Sequence, residues 1–410
     1  VPDAGPPTRR RKALGVIAAL DRHGTRAALA AALALPFLLI HAPSAAEAVI
    51  AALAIGLLLR LALLHDASAL RAPWVLAALG FWAWGVATTA LAGGDVARIA
   101  IALAWLRFPL AALALGAWVL AEARAQRWML FSVGAALAWV VLEVWVQLAF
   151  GRSLSGRLPH PDGILTGPFG WARAGPYLAL LLWPPLLAAA AWLSVRWGAL
   201  AAAAPPALAL ATVVLTGQRL ATLQVLAGLA AGALLLPGLR RAAAVAALAG
   251  AAALAALPVL APEAFRRLVV DLASGAPAEA YLDVFRDGLA AIAAAPWTGW
   301  GQDGFRAACA ALALGDCASH PHNIYLEAAV EAGLPGLALF LAFSLLAFAA
   351  VGPALWRHGG PEGRGLVLSL LLAALAVGVL KSAASIHQAG PVALLFGWAL
   401  AAARRPTSSA

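Results

Sequence analysis

The chain has 410 residues, 64% hydrophobic and 11% charged, with a formal net charge of +10. Soluble domains carry roughly 25% charged and about 45–50% apolar residues, so a soluble globular protein is excluded. The apolar residues come in blocks of about 17–25, the length that takes a helix across about 30 Å of hydrocarbon.

Residues 1–23 read as a basic cytoplasmic tail. Residues 24–150 hold five candidate spans, near 24–42, 47–64, 73–92, 97–120 and 128–150. A polar segment, 151–175, interrupts the series, and four more spans follow within 176–260, near 176–193, 197–214, 219–236 and 242–260. A longer polar segment covers 261–332. Residues 333–403 hold the last three spans, near 333–355, 364–381 and 386–403, and 404–410 form a second tail. The strand-type alternation of membrane barrels is absent, so the expected class is an all-α polytopic membrane protein of about twelve helices.

The distribution of charge sets the expected orientation. With the N-terminus inside, Arg60, Arg71, Arg124, Arg127, Arg196, Arg240, Arg241, Arg357 and Arg364 fall on the cytoplasmic side with the basic tails. The short outside loops hold only Arg98, Arg219 and Lys381. This is the positive-inside bias; it accounts for the net charge without nucleic acid and puts both long segments outside.

The shorter outside segment, Gly151–Gly175, carries Arg152, Arg157, His160, Asp162 and Arg173. The longer one carries Arg266, Arg267, Arg286 and Arg306, and its stretch EAYLDVFRDGLAAIAAAP predicts an amphipathic helix on the membrane surface. Its apolar face is expected to be Tyr281, Val284, Phe285, Leu289 and Ile292. The two cysteines, Cys309 and Cys317, both lie here. An oxidising compartment favours a disulfide between them, and a metal site with His320 and His322 is the alternative. Arg107 and Glu143 fall within spans and are expected to pair, because isolated charges at that depth are costly.

The densest chemistry is CASHPHNIYLEAAVEAGLPG, Cys317 to Gly336. Asn323 fits a helix N-cap, Ile324–Ala332 a helix, Gly333 its C-cap and Pro335 the start of the next span. His322 then stands just before a helix N-terminus, whose positive end keeps an imidazole neutral and favours a bound anion. Arg219 breaks an apolar run at a membrane boundary. Gly299–Gly304 spells GxGxxG, but no βαβ unit surrounds it, and the glycines read as tight turns.

Several of these pieces resemble one family. His322-Asn323, nine residues, then Gly333-Leu334-Pro335-Gly336 is similar to the HN-x9-GxxG pattern of the O-antigen ligase and polymerase superfamily. Pro296-Trp297-Thr298-Gly299-Trp300-Gly301 with Gly304-Phe305-Arg306 resembles its P-x-x-G-x-G…F segment. Thr216-Gly217-Gln218-Arg219-Leu220 looks like its TG-x-R turn, and Leu165–Phe169 with Arg173-Ala174-Gly175 like a further loop. The pieces cover roughly residues 150–345, in family order.

The resemblance implies a glycosyltransferase of the inner membrane, with its site facing the periplasm and no cofactor or metal. It would move a glycan from undecaprenyl diphosphate to a lipid A-core acceptor, or to another repeat unit in a polymerase. Carried over residue by residue, His322 is the expected base and Arg219 the expected diphosphate contact. Arg286, Arg306, Asn323, Arg173, His320 and Lys381 are the expected supporting contacts to diphosphate or loop. Family members place an arginine before an aromatic of the loop helix. Here Glu279-Ala280-Tyr281 stands in that place, which leaves the second arginine open. A transporter is the remaining alternative; it would place ionisable residues along a mid-membrane path, whereas these gather on one face.

Overall fold

Hydrocarbon offers no water to satisfy backbone N–H and C=O groups, so an apolar block closes its hydrogen bonds internally as a helix. The computed structural model describes residues 9–315, 320–375 and 386–404, and among them there are helices and turns but no strand. The first spans are α1 (Arg9–His41), α2 (Pro43–Leu64) and α3 (Pro73–Leu91). The next is broken into α4 (Val96–Ala104), α5 (Arg107–Ala114) and a π-type turn over Leu115–Val119, before α6 (Ala123–Phe150).

Beyond the shorter loop come α7 (Ala174–Leu181), α8 (Trp183–Ala202), α9 (Ala204–Leu215), α10 (Arg219–Leu235) and α11 (Arg240–Leu260). The longer loop folds as α12 (Pro262–Phe265), a π-type turn over Arg266–Val270, α13 (Asp271–Ser274), α14 (Ala276–Ala294) and α15 (Gly304–Leu312). The bundle closes with α16 (Ile324–His358), α17 (Gly360–Leu375) and α18 (Ile386–Ala403).

Among the described residues, eight helices are long and apolar enough to cross a membrane, and α9 and α10 are shorter apolar helices. The architecture is therefore an all-α, multi-span membrane protein. The expected span at 197–214 begins instead at Ala204. Gly198 interrupts α8 with φ 86° and ψ 179°, and α9 restarts with prolines in its first turn, where a missing N–H costs nothing.

The core centres on α5 with its π-type extension and on α18. Leu113, Leu394, Leu395 and Trp398 are fully enclosed there. The two elements approach closely because Gly397 lacks a Cβ, which would sit 2.6 Å from Leu115 Cβ. Small residues at such contacts let backbones approach where lipid supplies no hydrophobic drive between helices.

One expected pairing is corrected. Arg107 does not bond Glu143; its Nε and Nη2 donate to Glu47 on α2, at 2.7 and 3.0 Å, because α5 packs on α2. Glu143 is fully buried and accepts from the backbone N–H of Ser155 at 3.0 Å and from its hydroxyl. The charge on α6 thus anchors the shorter loop as it folds back over the helix end.

The amphipathic helix forms as α14, with Val284 buried, Tyr281, Phe285 and Ile292 partly buried as expected, and Leu289 the exception. Val284 and Ala291 are buried and join Phe305, Ala308, Cys309 and Val330 in a satellite core, whereas Leu289 is 58% exposed. At Gly288 this face of α14 comes within van der Waals reach of Pro321 and Leu326, immediately around the histidine motif.

Candidate functional site

Both long loops emerge on one face of the bundle and touch each other. Gln147 of α6 donates to the Arg157 carbonyl and Thr166 hydroxyl, each at 3.1 Å, and accepts from the Gly167 N–H at 2.9 Å. With Glu143 it holds the shorter loop against α6. That loop abuts the longer one where the Cβ that Gly163 lacks would overlap Glu263.

Arg219 is the first residue of α10. The turn before it is tied down by Gln218, which accepts from the Gly175 N–H at 2.7 Å. Arg219 Nε donates to the Arg267 carbonyl at 2.7 Å and Nη2 to Asp271 at 2.8 Å. Arg267 follows in the widened π-type turn, a form of backbone frequent at functional sites. Its Nη1 lies 3.5 Å from Asp162 of the shorter loop. Burial, and then the neighbouring Arg219 charge, holds the Arg267 guanidinium below its ordinary value. Two half-buried cations therefore stand side by side, each facing a carboxylate, Asp271 for Arg219 and Asp162 for Arg267.

Tyr281 of α14 feels the charge of this pair and packs on the histidine motif. Burial raises its hydroxyl above the ordinary value, and the charges of Arg219 and Arg267 act against that rise. Its ring meets His322 edge-on at 5.9 Å. The His320 ring lies 4.5 Å from that of His322, and the His322 N–H points at His320 Nδ1, 3.4 Å away. Asn323 caps α16 as expected, its side chain accepting from the N–H groups of Tyr325 and Leu326 at 2.9 and 3.2 Å. His322 adopts φ 52°, a left-handed backbone that turns the chain sharply into the cap.

The glycine motifs that carry much of the resemblance have a structural role. Gly333 breaks α16 with φ 67° and ψ −176°, and Gly299 has φ 65°. Around them the loop after α14 clasps the break. Trp300 and Gly301 donate to the carbonyls of Val330 and Glu331 at 2.8 and 2.9 Å, and Leu334 donates to Pro296 at 2.8 Å. Arg98 reinforces the clasp, its Nε and Nη2 donating to the carbonyls of Gln302 and Trp300 at 2.6 and 2.5 Å. This gives Arg98 its partner and fixes where the first turns of α16 begin.

Of the other expected site residues, Arg286 is 73% exposed and pairs with Asp283 on its own helix at 2.8 Å. Five residues beyond Tyr281, it projects about 140° away around the helix. Arg306 is exposed on α15. Arg173 is half-buried, and burial lowers it from its ordinary value. Its Nη1 abuts His387 Nε2 at the start of α18 rather than Arg219. Lys381 and Cys317 lie outside the described residues, so the expected disulfide does too; Cys309 is buried in the satellite core.

Arg267, Asp271 and Tyr281 were not singled out as site residues by sequence reasoning. Arg267 was one of several loop arginines, and Tyr281 counted as part of an apolar face. Only the flanking-arginine departure at Tyr281 pointed to that neighbourhood.

Beside the site, between α5, α16, α17 and α18, lies an apolar cavity of about 370 Å³. Phe108, Tyr325, Phe340, Phe343, Val392 and Phe396 are among the side chains that line it. Its upper wall includes Ile324 and Tyr325, the first residues of α16, directly after the histidine motif.

Fold and site together define a multi-span helical membrane protein with a histidine and paired arginines on its loop face. Residues 206–341 match the Wzy_C family model, described as O-antigen ligase, which supports the O-antigen ligase superfamily for this chain. The match takes in the turn bearing Arg219, the whole longer loop and the His322–Gly336 segment. No curated protein matches the chain.

Proposed function

We propose that the chain is an O-antigen ligase-type glycosyltransferase, moving a glycan from undecaprenyl diphosphate to a sugar hydroxyl of lipid A core. The reaction would take place at the periplasmic face of the bacterial inner membrane. The observation that carries this reading is that Arg219 and Arg267 meet at the start of α10, in the same loop region as Tyr281, whose ring packs edge-on against His322.

In this reading His322 accepts the proton of the acceptor hydroxyl. The freed oxygen bonds to the anomeric carbon of the donor sugar as the bond from that carbon to the diphosphate oxygen breaks on the opposite face, inverting the configuration. The leaving diphosphate gains charge, which Arg219 and Arg267 neutralise through charge-assisted hydrogen bonds. The same two guanidinium groups do the work a divalent cation does elsewhere, so the transfer proceeds without added metal. Asp271 and Asp162 hold the arginines before the donor arrives. The apolar cavity beside α16 accommodates part of the isoprenoid chain.

The test is a reconstituted assay with undecaprenyl-diphosphate-linked glycan and rough lipopolysaccharide in the presence of a chelator. Transfer that survives both His322→Ala and Arg219→Ala would falsify the mechanism. Glycan lengthened on the carrier, with no lipid A-core conjugate, would move the assignment to a polymerase of the same superfamily.

A further inference from the structure

The shorter loop presents a feature that the reaction above does not use. Trp171 is 64% exposed, although it belongs to a folded segment rather than to a spanning helix. A histidine of the same loop stands beside it, with an arginine and a carboxylate close by in the fold. The His160 ring lies 5.9 Å away, tilted by 44°. The Arg157 guanidinium passes over the neighbouring Gly170, with Nη1 3.9 Å from where a Cβ would stand. Asp162 is 55% exposed, and its Oδ2 lies 3.5 Å from both His160 Nδ1 and Arg267 Nη1.

We propose that Trp171, rimmed by His160, Asp162 and Arg157, is a saccharide subsite that binds the glycan end of the donor beside the Arg219–Arg267 pair. The inference rests on the donor reading given above.

Three arguments support it. First, a pyranose has an apolar C–H face and a rim of hydroxyls. A rigid exposed indole matches the face at small entropic cost, and a carboxylate, an imidazole and a guanidinium match the rim. Second, the platform is built rather than loose. The backbone closes on itself where Ser153 N–H donates to the Arg157 carbonyl and His160 N–H to that of Ile164, both at 2.9 Å. Glu143 and Gln147 pin the same loop from below. Third, the subsite is continuous with the anion site, because Asp162 faces both His160 and Arg267. The path from arginine to indole runs through adjacent side chains, short enough for the first sugars on a diphosphate to follow.

The test uses the purified full chain and two probes, inorganic diphosphate and the polysaccharide released by mild acid from the source cell's envelope glycolipid. Binding of each is followed by calorimetry, with saturation-transfer NMR identifying the sugar protons in contact. Trp171→Ala is expected to weaken polysaccharide binding about tenfold and to leave diphosphate binding unchanged. Trp171→Phe, which keeps a ring and guards against misfolding, should retain part of the affinity. Asp162→Asn should also weaken the polysaccharide. Arg219→Gln should weaken diphosphate and spare the polysaccharide. Saccharide binding without any diphosphate binding would leave the subsite standing and remove the donor reading. Equal polysaccharide affinity in wild type and Trp171→Ala, or none in wild type, overturns the inference. So does quenching of wild-type fluorescence by brominated lipid that Trp171→Phe reduces, since that makes the indole a membrane anchor.

Discussion

The clasp between the Gly299 loop and the break at Gly333 makes a sharp prediction. In Gly333→Ala the new Cβ would sit 2.5 Å from the Trp297 carbonyl oxygen, and in Gly299→Ala 2.6 Å from the Glu331 carbonyl carbon. Those are backbone atoms, which cannot swing aside as a flexible side-chain end can. The backbone at Gly333, φ 67° and ψ −176°, lies in a region nearly restricted to glycine, costing about 1–3 kcal/mol for another residue. Overpacking adds about 1–3 kcal/mol, so the expected loss is about 2–6 kcal/mol. Gly85→Ala is the control: it is helical, with nothing within 4 Å of an added Cβ, and should be neutral or gain about 0.5–1 kcal/mol. Thermal melts in detergent, read by fluorescence-detected size exclusion, separate the three. Gly299→Ala and Gly333→Ala should lose the monodisperse peak well below wild type, and Gly85→Ala at or above it. Below their melting temperatures the two clasp variants should still transfer glycan slowly, because His322 depends on where α16 begins. Melting of Gly333→Ala together with Gly85→Ala would refute the reasoning.

Other outcomes follow from the same geometry. A double-mutant cycle on Arg107 and Glu47 should give a coupling of about 0.5–2 kcal/mol, the lower part of that range reflecting partial exposure, whereas Arg107 with Glu143 should be additive. Glu143→Ala should leave the helices intact and speed limited proteolysis of residues 151–175, since Ser155 loses its acceptor; unchanged cleavage would contradict the anchoring role. Arg267→Gln should lower transfer about 10- to 100-fold, as removal of a charge-assisted hydrogen bond predicts, while Arg286→Gln stays within about twofold of wild type. Equal losses in the two variants would mean that the arginine pair is wrongly assigned.

Composition and apolar block length alone determined that this is a helical multi-span membrane protein, because only helices satisfy backbone groups inside hydrocarbon without a barrel. The residues Asn323 to Pro335 also announced their own local structure: the cap, the following helix and the glycine break depend on neighbours within one or two turns. Arg219 and His322 stood out for the same reason, one as a charge at a membrane boundary and the other as a residue preceding a cap. Tertiary structure decided their company. Arg219 meets Arg267 and Asp271 across some fifty residues of chain, and Tyr281 reaches the His322 ring only because α14 packs on the start of α16. Likewise Arg107 chose Glu47 over Glu143, since a charge at depth takes whichever partner helix packing brings nearest. Periodicity reports which residues share a face, not what that face meets. Leu289 was therefore misplaced, and Arg267 could not be distinguished among its neighbours until the loops were folded onto one another.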